Sequence, residues 1–373
     1  MKRTIVSPWR FVVGPDILPE IGLHDKWLGR RAFLMGGARA LNAVKGPITA
    51  SLCDNGLEYH IEHGPHVDKV KSRVDDLVRI GREQKVDFAI VCGGGRVMDC
   101  GKVVARELDV PLIVVPTTAS VNAAGTLSSG IEQDDGPRRY WYRGPDVIFC
   151  DTRVIVQAGA RWLASGMGDV LPFGAGLPLA LRMDRPGNAE AGALGLRDAF
   201  PSVAAEEIGR LTFELVVANG KRAYDAAVLG IPTDAVNQVC EAIFYCSAVG
   251  GPACGIVGGD HTLHLANHPR CTKEVIHGEY VAFGTLVNLI LFGSPLSEMD
   301  QIIDFNRSVN LPTCFDDFGL ADITPEELVE HTKAMVGPDG TASFGLNRRF
   351  TAKDIAEAMR EVDFLARTRD QRR

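Results

Sequence analysis

Short runs of aliphatic and β-branched residues recur through the first 157 positions, and segments with helical spacing separate them. Ala32-Phe33-Leu34-Met35, Phe88-Ala89-Ile90-Val91, Leu112-Ile113-Val114-Val115 and Val147-Ile148-Phe149 are of strand length, and Val67 through Gln84 reads as a helix between the first two. Strands alternating with helices form β-α-β units, which lay their strands side by side in a parallel sheet. Beyond residue 157 the spacing changes. Apolar residues recur three and four apart in Ala204 to Ala218, Thr233 to Val249, Glu279 to Phe292, Met299 to Phe305, Pro325 to Met335 and Thr351 to Ala366, so this half predicts helices only. Thr324-Pro325-Glu326-Glu327 and Thr351-Ala352-Lys353-Asp354 each set a hydroxyl cap three residues before a carboxylate, which fixes where two of those helices start. Asp134-Asp135-Gly136-Pro137-Arg138-Arg139 is a polar turn, a hairpin tip or an exposed loop. The pattern predicts an α/β domain over 1–157 and an all-α domain over 158–373.

Composition adds exclusions. With 373 residues, 46% hydrophobic and 23% charged, the chain has apolar material for a core spanning two domains. A net charge of −7, with no basic block beyond short clusters such as Arg30-Arg31 and Arg372-Arg373, speaks against a nucleic-acid surface. Met1 to Arg10 holds no apolar leader and no window approaches the roughly 20 apolar residues of a membrane span, so a cytoplasmic location is expected. The nine cysteines include no C-x-x-C pair, and Cys92, Cys150 and Cys246 lie in apolar runs, which predicts free, buried thiols and no disulfides.

Three segments carry candidate chemistry. Phe88 to Val91 stops at Gly93-Gly94-Gly95 and gives way to a helical pattern; glycines there let backbone N–H groups and the positive end of the helix dipole approach an anion. A tight strand-to-helix turn without a ligand has the same appearance. Pro116-Thr117-Thr118-Ala119-Ser120 follows the next strand, and the carboxyl ends of neighbouring parallel strands line one crevice. Ser165-Gly166-Met167-Gly168-Asp169, with His261, His264 and His277, supplies a carboxylate and imidazoles suited to one divalent metal. The spacing of His261 and His264 suggests one face of a helix, and Asp169 after a Gly-x-Gly turn suggests the mouth of the next helix. Ordinary structural histidines read the same way.

Taken together, Gly93-Gly94-Gly95-x-x-x-Asp99-x-x-Lys102, Pro116 to Ser120, Asp146-Val147-Ile148-Phe149-Cys150-Asp151-Thr152, Gly166-Met167-Gly168-Asp169 and His277-Gly278-Glu279-Tyr280-Val281-Ala282-Phe283-Gly284-Thr285 resemble the glycerol dehydrogenase branch of the iron-type alcohol dehydrogenases over nearly the whole chain. The resemblance implies a Rossmann-like domain followed by a helical-bundle domain, the dehydroquinate synthase-like fold, with the active site in the cleft between. It implies an NAD- or NADP-linked oxidation of a small polyol or related alcohol. Asp169, His261 and His277 match the zinc ligands, other divalent metals being compatible with the same donors. His264 matches a second histidine that relays a proton or simply lies on the surface; His268 falls outside the motif. Gly94, Gly95, Arg96, Asp99, Thr117, Thr118, Ser120 and Thr126 fall in cofactor segments, with Asp99 and Lys102 alternatively a structural pair on a helix. A homo-oligomer is also implied.

Three departures qualify that expectation. The acidic residue that NAD-using relatives place after the first strand is absent from Met35-Gly36-Gly37-Ala38-Arg39, so Gly37 and Arg39 admit a 2′-phosphate. Asn122 stands where the glycerol enzymes place a substrate aspartate; it can hydrogen-bond a hydroxyl but carries no charge. Pro172, in Val170-Leu171-Pro172-Phe173-Gly174-Ala175-Gly176, disturbs a helix. Alternatives are a glycerol-1-phosphate dehydrogenase-like enzyme, a carbocycle-forming synthase, or a non-catalytic cofactor-binding member.

Overall fold

The apolar runs of the first half pair with one another as parallel strands. The computed structural model describes residues 2–5, 7–25, 27–64, 70–133, 136–141, 144–174, 199–254, 259–344 and 348–372. Its strands are β1 (Lys2–Thr4), β2 (Arg10–Gly14), β3 (Arg31–Gly36), β4 (Glu58–His63), β5 (Phe88–Gly93), β6 (Leu112–Pro116), β7 (Ser128–Gln133), β8 (Gly136–Trp141), β9 (Val147–Asp151), β10 (Ala199–Pro201), β11 (Thr341–Ala342) and β12 (Phe350–Thr351). Six of them form one parallel sheet in the order β2-β9-β6-β5-β3-β4. Helices α1 (Ile21–Asp25), α2 (Ala38–Asp54), α3 (Val70–Glu83) and α4 (Gly95–Leu108) connect them.

β5, β6 and β9 are buried along their whole length because helices cover both faces of the sheet, which is why they read as unbroken apolar runs. On one face Leu41, Val44, Ile48 and Leu52 of α2 pack on Leu34, Ile90, Ile113 and Phe149. On the other, Leu77 of α3 and Val104 of α4 pack on Phe33, Val91, Val114 and Ile148. That second core runs on without a break into Phe244 and Phe283 of the helical half.

The helical half contains α5 (Thr152–Ala158), α6 (Ala160–Val170), α7 (Val203–Val228), α8 (Asp234–Glu241), α9 (Ser247–Cys254), α10 (His277–Leu291), α11 (Leu296–Ser308), α12 (Pro325–Thr332) and α13 (Ala352–Arg367). Both expected caps form: the Thr324 and Thr351 hydroxyls accept from the Glu327 and Asp354 amides at 3.2 Å each. The segment from Thr233 to Val249 is helical from Asp234 onward, with a π segment at Ala242–Cys246 lying between α8 and α9. Nor is this half helical throughout, because β11 and β12 pair as a short antiparallel ribbon.

β4 was invisible to a hydrophobic pattern because it is a half-exposed edge strand, Glu-Tyr-His-Ile-Glu-His, bonded only to β3. The polar turn before Arg139 joins β7 to β8 in an antiparallel hairpin, with Asp134 and Asp135 outside the described residues. So are residues 67–69 of the expected first helix, which begins at Val70, and Ala175 and Gly176. Helix α6 ends at Val170, and after the turn at Leu171 Pro172 opens the helical residues 172–174, a position where its missing N–H leaves no helical hydrogen bond broken. Cys53, Cys92, Cys100, Cys150, Cys240, Cys246, Cys271 and Cys314 are free, and burial pushes the Cys100 and Cys246 thiols up to about 12. Among the described residues no helix is long and apolar enough to cross a membrane.

Candidate active site and metal centre

At the carboxyl edge of the sheet, β3, β5 and β6 end side by side, with Gly36 level with Cys92 and Gly93 level with Pro116. Gly37 caps α2 and Gly94 caps α4, each without a side-chain hydrogen bond. The leading N–H groups of both helices therefore lack a capping acceptor at the same edge, an arrangement suited to anionic groups. A Cβ on Gly94 would lie 3.1 Å from Thr118 Oγ1, and one on Gly95 2.7 Å from Val121 Cγ2, so the two loops close on each other through glycine. The Thr117 amide donates to Gly93 O at 3.0 Å, and the Thr118 and Ser120 hydroxyls are 3.4 Å apart. Gly37 is not crowded, its nearest neighbour to a Cβ being Val97 Cγ2 at 3.9 Å. Arg39 and Arg96 project from the first turns of α2 and α4 and are exposed.

Asp99, Lys102 and Thr126 are engaged with one another instead. Lys102 is buried, and its Nζ donates to Asp99 Oδ1 at 3.1 Å, Thr126 Oγ1 at 3.0 Å and Ser128 O at 2.9 Å. Asp99 Oδ2 accepts from the Gly130 amide at 3.0 Å. This network ties α4 to β7, and the helix pair weighed from the sequence is its centre.

Beside that edge, Asp169, His261 and His277 each offer one donor atom, all within 4.8 Å of one another. Asp169 Oδ1 lies 3.0 Å from His277 Nε2 and 3.4 Å from His261 Nε2, while Oδ2 accepts from the Asn122 amide at 2.8 Å. The carboxylate is 2% exposed and the imidazoles 37% and 49%, so the cluster is buried on the protein side and open on the other. Two nitrogens and one oxygen with an accessible side fit a divalent first-row ion that keeps an open position.

The local structure delivering these groups differs from expectation in two respects. Asp169 is not at a helix mouth but near the C-terminal end of α6, with Gly166 and Gly168 inside the helix. The glycines serve close packing, not a turn: a Cβ on Gly166 would fall 2.0 Å from Ala119 O, and one on Gly168 2.3 Å from Gly278 O. Reciprocally, a Cβ on Gly278 would fall 1.6 Å from Ser165 O. The Ser165 hydroxyl donates to Ser120 O at 2.8 Å and accepts from the Gly278 amide at 3.0 Å, joining the loop after β6 to α10.

The second difference concerns His261 and His264, which lie in a run of turns and not on a helical face. Amides there bond two to four residues back, as in Thr262 to Gly259 at 2.8 Å and His264 to Thr262 at 3.0 Å, and Pro269 follows where a helix cannot continue. His277 is the first residue of α10.

The electrostatics follow from this packing. Burial raises the Asp169 pKa, but the two histidines outweigh it and hold the carboxyl far below its ordinary range. Burial lowers the His261 pKa, yet hydrogen bonds to Asp169 and Asp260 overcome it and bring the imidazole up to about 10. Burial, followed by the charges of His331, His277 and His261, pulls His264 down to about 4. His264 is no part of the three-ligand cluster; its ring lies on Tyr280, centroids 4.4 Å apart, and its buried Nδ1 has no hydrogen-bond partner among the described residues. His268 is buried against His331 and accepts from the Arg270 amide, a structural role consistent with its exclusion from the motif. Asn122 brings its backbone to Asp169, and its side-chain amide has no hydrogen bond among the described residues.

Two further residues support the ligands from behind: Asp260, whose carboxylate meets His261 Nδ1, and Tyr280, whose hydroxyl lies 2.5 Å from His277 Nδ1; neither is among the residues expected from the sequence. The signal was present in Asp260-His261 and in the His277-x-x-Tyr280 spacing, since a ligating imidazole needs a partner on its second nitrogen.

Residues 12–159 match the iron-containing alcohol dehydrogenase family model. A glycerol dehydrogenase of Citrobacter freundii is 26% identical over 98% of both chains. Glycerol dehydrogenase 1 of Schizosaccharomyces pombe is 29% identical over 97% of this chain and 79% of its own. A crystal structure of glycerol dehydrogenase from Schizosaccharomyces pombe superposes with a TM-score of 0.87 at 25% identity, covering 99% of this chain and 92% of that one. The sheet-then-helices architecture is shared from end to end with these glycerol dehydrogenases, and residues 12–159 carry the iron-containing alcohol dehydrogenase match, so the chain is similar to the glycerol dehydrogenases of that type.

Proposed function

We propose that the protein is a metal-dependent, NAD(P)-linked oxidoreductase that interconverts a small polyol or related secondary alcohol and its ketone. The observation that carries this reading is the convergence of Asp169, His261 and His277 beside the uncapped starts of α2 and α4. Residues 1–157 are assigned to cofactor binding and 158–373 to metal and substrate. Bound zinc would supply Lewis acidity toward a substrate hydroxyl, and the nicotinamide the hydride acceptor.

The chain's own residues do the rest. Asn122 fixes Asp169 Oδ2 through its backbone, leaving Oδ1 for the ion, and offers its side-chain amide to a second hydroxyl of the substrate. Gly94, Gly95, Thr117, Thr118 and Ser120 hold the cofactor's diphosphate and adjoining groups, Arg96 lies near enough in sequence to assist, and Asp99 and Thr126 act through the Lys102 network. His264, whose buried Nδ1 has no hydrogen-bond partner among the described residues, is assigned to relaying the substrate's proton. His264→Ala is expected to keep its metal while kcat falls about 10²-fold, the ordinary scale for a lost acid–base group; an unchanged kcat removes His264 from the reaction.

Gly37 and Arg39 support use of NADP. Nothing packed around Gly37 excludes a larger side chain, so the missing carboxylate is not a steric necessity, and Arg39 has no ion-pair partner among the described residues. Arg39→Ala should lower kcat/KM for NADP about tenfold, the worth of one exposed charge-assisted contact, and leave NAD unaffected. Equal effects on both cofactors would remove Arg39 from the phosphate site.

Metal uptake should depend on pH. His261 is raised to about 10, so in metal-free protein its Nε2 carries a proton throughout the neutral range. Zinc must displace that proton, and affinity should rise about tenfold per pH unit up to that value. The His261 ion pair correspondingly stabilises metal-free protein below its unfolded pKa, near 6.5, and the benefit is lost as pH rises through about 10. A chelator-competition series from pH 6 to 9 with flat affinity would contradict the assignment.

A cytoplasmic homo-oligomer belongs to the same reading, and sedimentation of purified protein reports its assembly. The activity itself is tested by absorbance at the reduced-nicotinamide band, with zinc-loaded protein, either cofactor, and a panel from glycerol to larger diols. Chelator-sensitive turnover supports the proposal; silence across the panel despite cofactor binding refutes it.

A further inference from the structure

Asp260 is a buried carboxylate that neither the family motif nor the ligand set accounts for. Its Oδ1 meets His261 Nδ1, and its Oδ2 accepts from Asn288 Nδ2, on the helix that begins with His277, at 3.2 Å. Among the described residues its carboxylate accepts no backbone N–H, so it is not acting as a turn-former or helix cap. Its backbone is clamped as well: a Cβ on Gly284 would fall 2.1 Å from Asp260 O, and one on Gly259 2.5 Å from Asn288 Oδ1.

We propose that Asp260, braced by Asn288, is a positioning residue for the metal centre, an inference that rests on the metal reading above. An ionised carboxylate only accepts hydrogen bonds, so it keeps a proton on His261 Nδ1; the proton that zinc displaces is then the one on Nε2, whose lone pair would meet the ion beside Asp169. The carboxylate also increases the donor strength of that nitrogen. The His277 side is different, because the Tyr280 hydroxyl at its Nδ1 both donates and accepts and does not dictate a tautomer. Charge therefore fixes one of the two imidazoles and a neutral phenol supports the other.

The test measures zinc affinity by chelator competition and the visible spectrum of the cobalt-loaded protein, for wild type, Asp260→Ala, Asp260→Asn and Asn288→Ala. Asp260→Ala should weaken zinc binding about 10- to 100-fold and shift the cobalt bands. Asp260→Asn keeps an acceptor oxygen for Nδ1–H, so it should restore the spectrum while affinity stays below wild type. Asn288→Ala should weaken binding severalfold, by about an order of magnitude at most. Wild-type affinity and spectrum in Asp260→Ala, or a defect that Asp260→Asn does not relieve, overturns the proposal. If Asp260→Ala does not fold, wild-type affinity in both remaining variants does so. Failure of the wild type to bind either ion overturns the metal reading together with this one, whereas binding by wild type and all variants alike overturns the positioning role alone.

Discussion

Asp169→Asn is expected to abolish stable zinc binding and to lower kcat/KM by about a thousandfold or more, several kcal/mol of transition-state stabilisation. The substitution preserves volume, and the carboxamide oxygen can take over the bond from the Asn122 amide, now 2.8 Å from Asp169 Oδ2. The amide NH₂ then faces the two imidazole nitrogens where Oδ1 now stands. A positive dipole replaces a full negative charge between them, which suits neutral imidazoles and repels a cation. Because the native carboxyl is held far below its ordinary range, the charge being removed is present at every neutral pH. Far-UV circular dichroism should be unchanged, and metal content should fall to near zero in the same samples. Wild-type metal content in this variant would exclude Asp169 as a ligand.

Gly278→Ala has the largest effect expected on folding. As the second residue of α10, an alanine gains at most about 1 kcal/mol of helix propensity. Against that, the new Cβ would lie 1.6 Å from Ser165 O, a backbone atom in the middle of α6 that no rotamer change can move. Steric cost decides the sign, and we expect a loss of about 3 kcal/mol or more by chemical denaturation. The relief available is separation of α10 from α6, which also moves His277 away from Asp169, so zinc affinity should fall with stability. A variant as stable as wild type would show that the two helices are not in contact at this point.

Legibility of the fold followed burial. β3, β5, β6 and β9 were readable because helices cover them on both sides; β4 was not, because an edge strand with one neighbour needs no apolar pattern. The caps at Thr324 and Thr351 were readable because capping is local. The turns around His261 were not, since the shape of that segment is set by contacts with α10 through Gly284 and Asn288. The same distinction holds in the site. Asp169, His261 and His277 were found by residue type and motif, and the structure brings them together from three separate segments. Gly166 and Gly278 were seen as motif letters, but their reason is a helix-to-helix approach that no spacing along one segment reveals. Lys102 read equally well as a cofactor residue and as half of a pair until its burial with Asp99 and Thr126 was visible.

The measurement that addresses the central claim most directly is a zinc titration of chelator-stripped protein, with bound metal and nicotinamide-linked turnover of a small polyol read on the same samples. The account predicts no turnover in stripped protein and a linear recovery that levels off at one zinc per chain. Full turnover in protein without metal, or saturation with zinc that restores none, would contradict it.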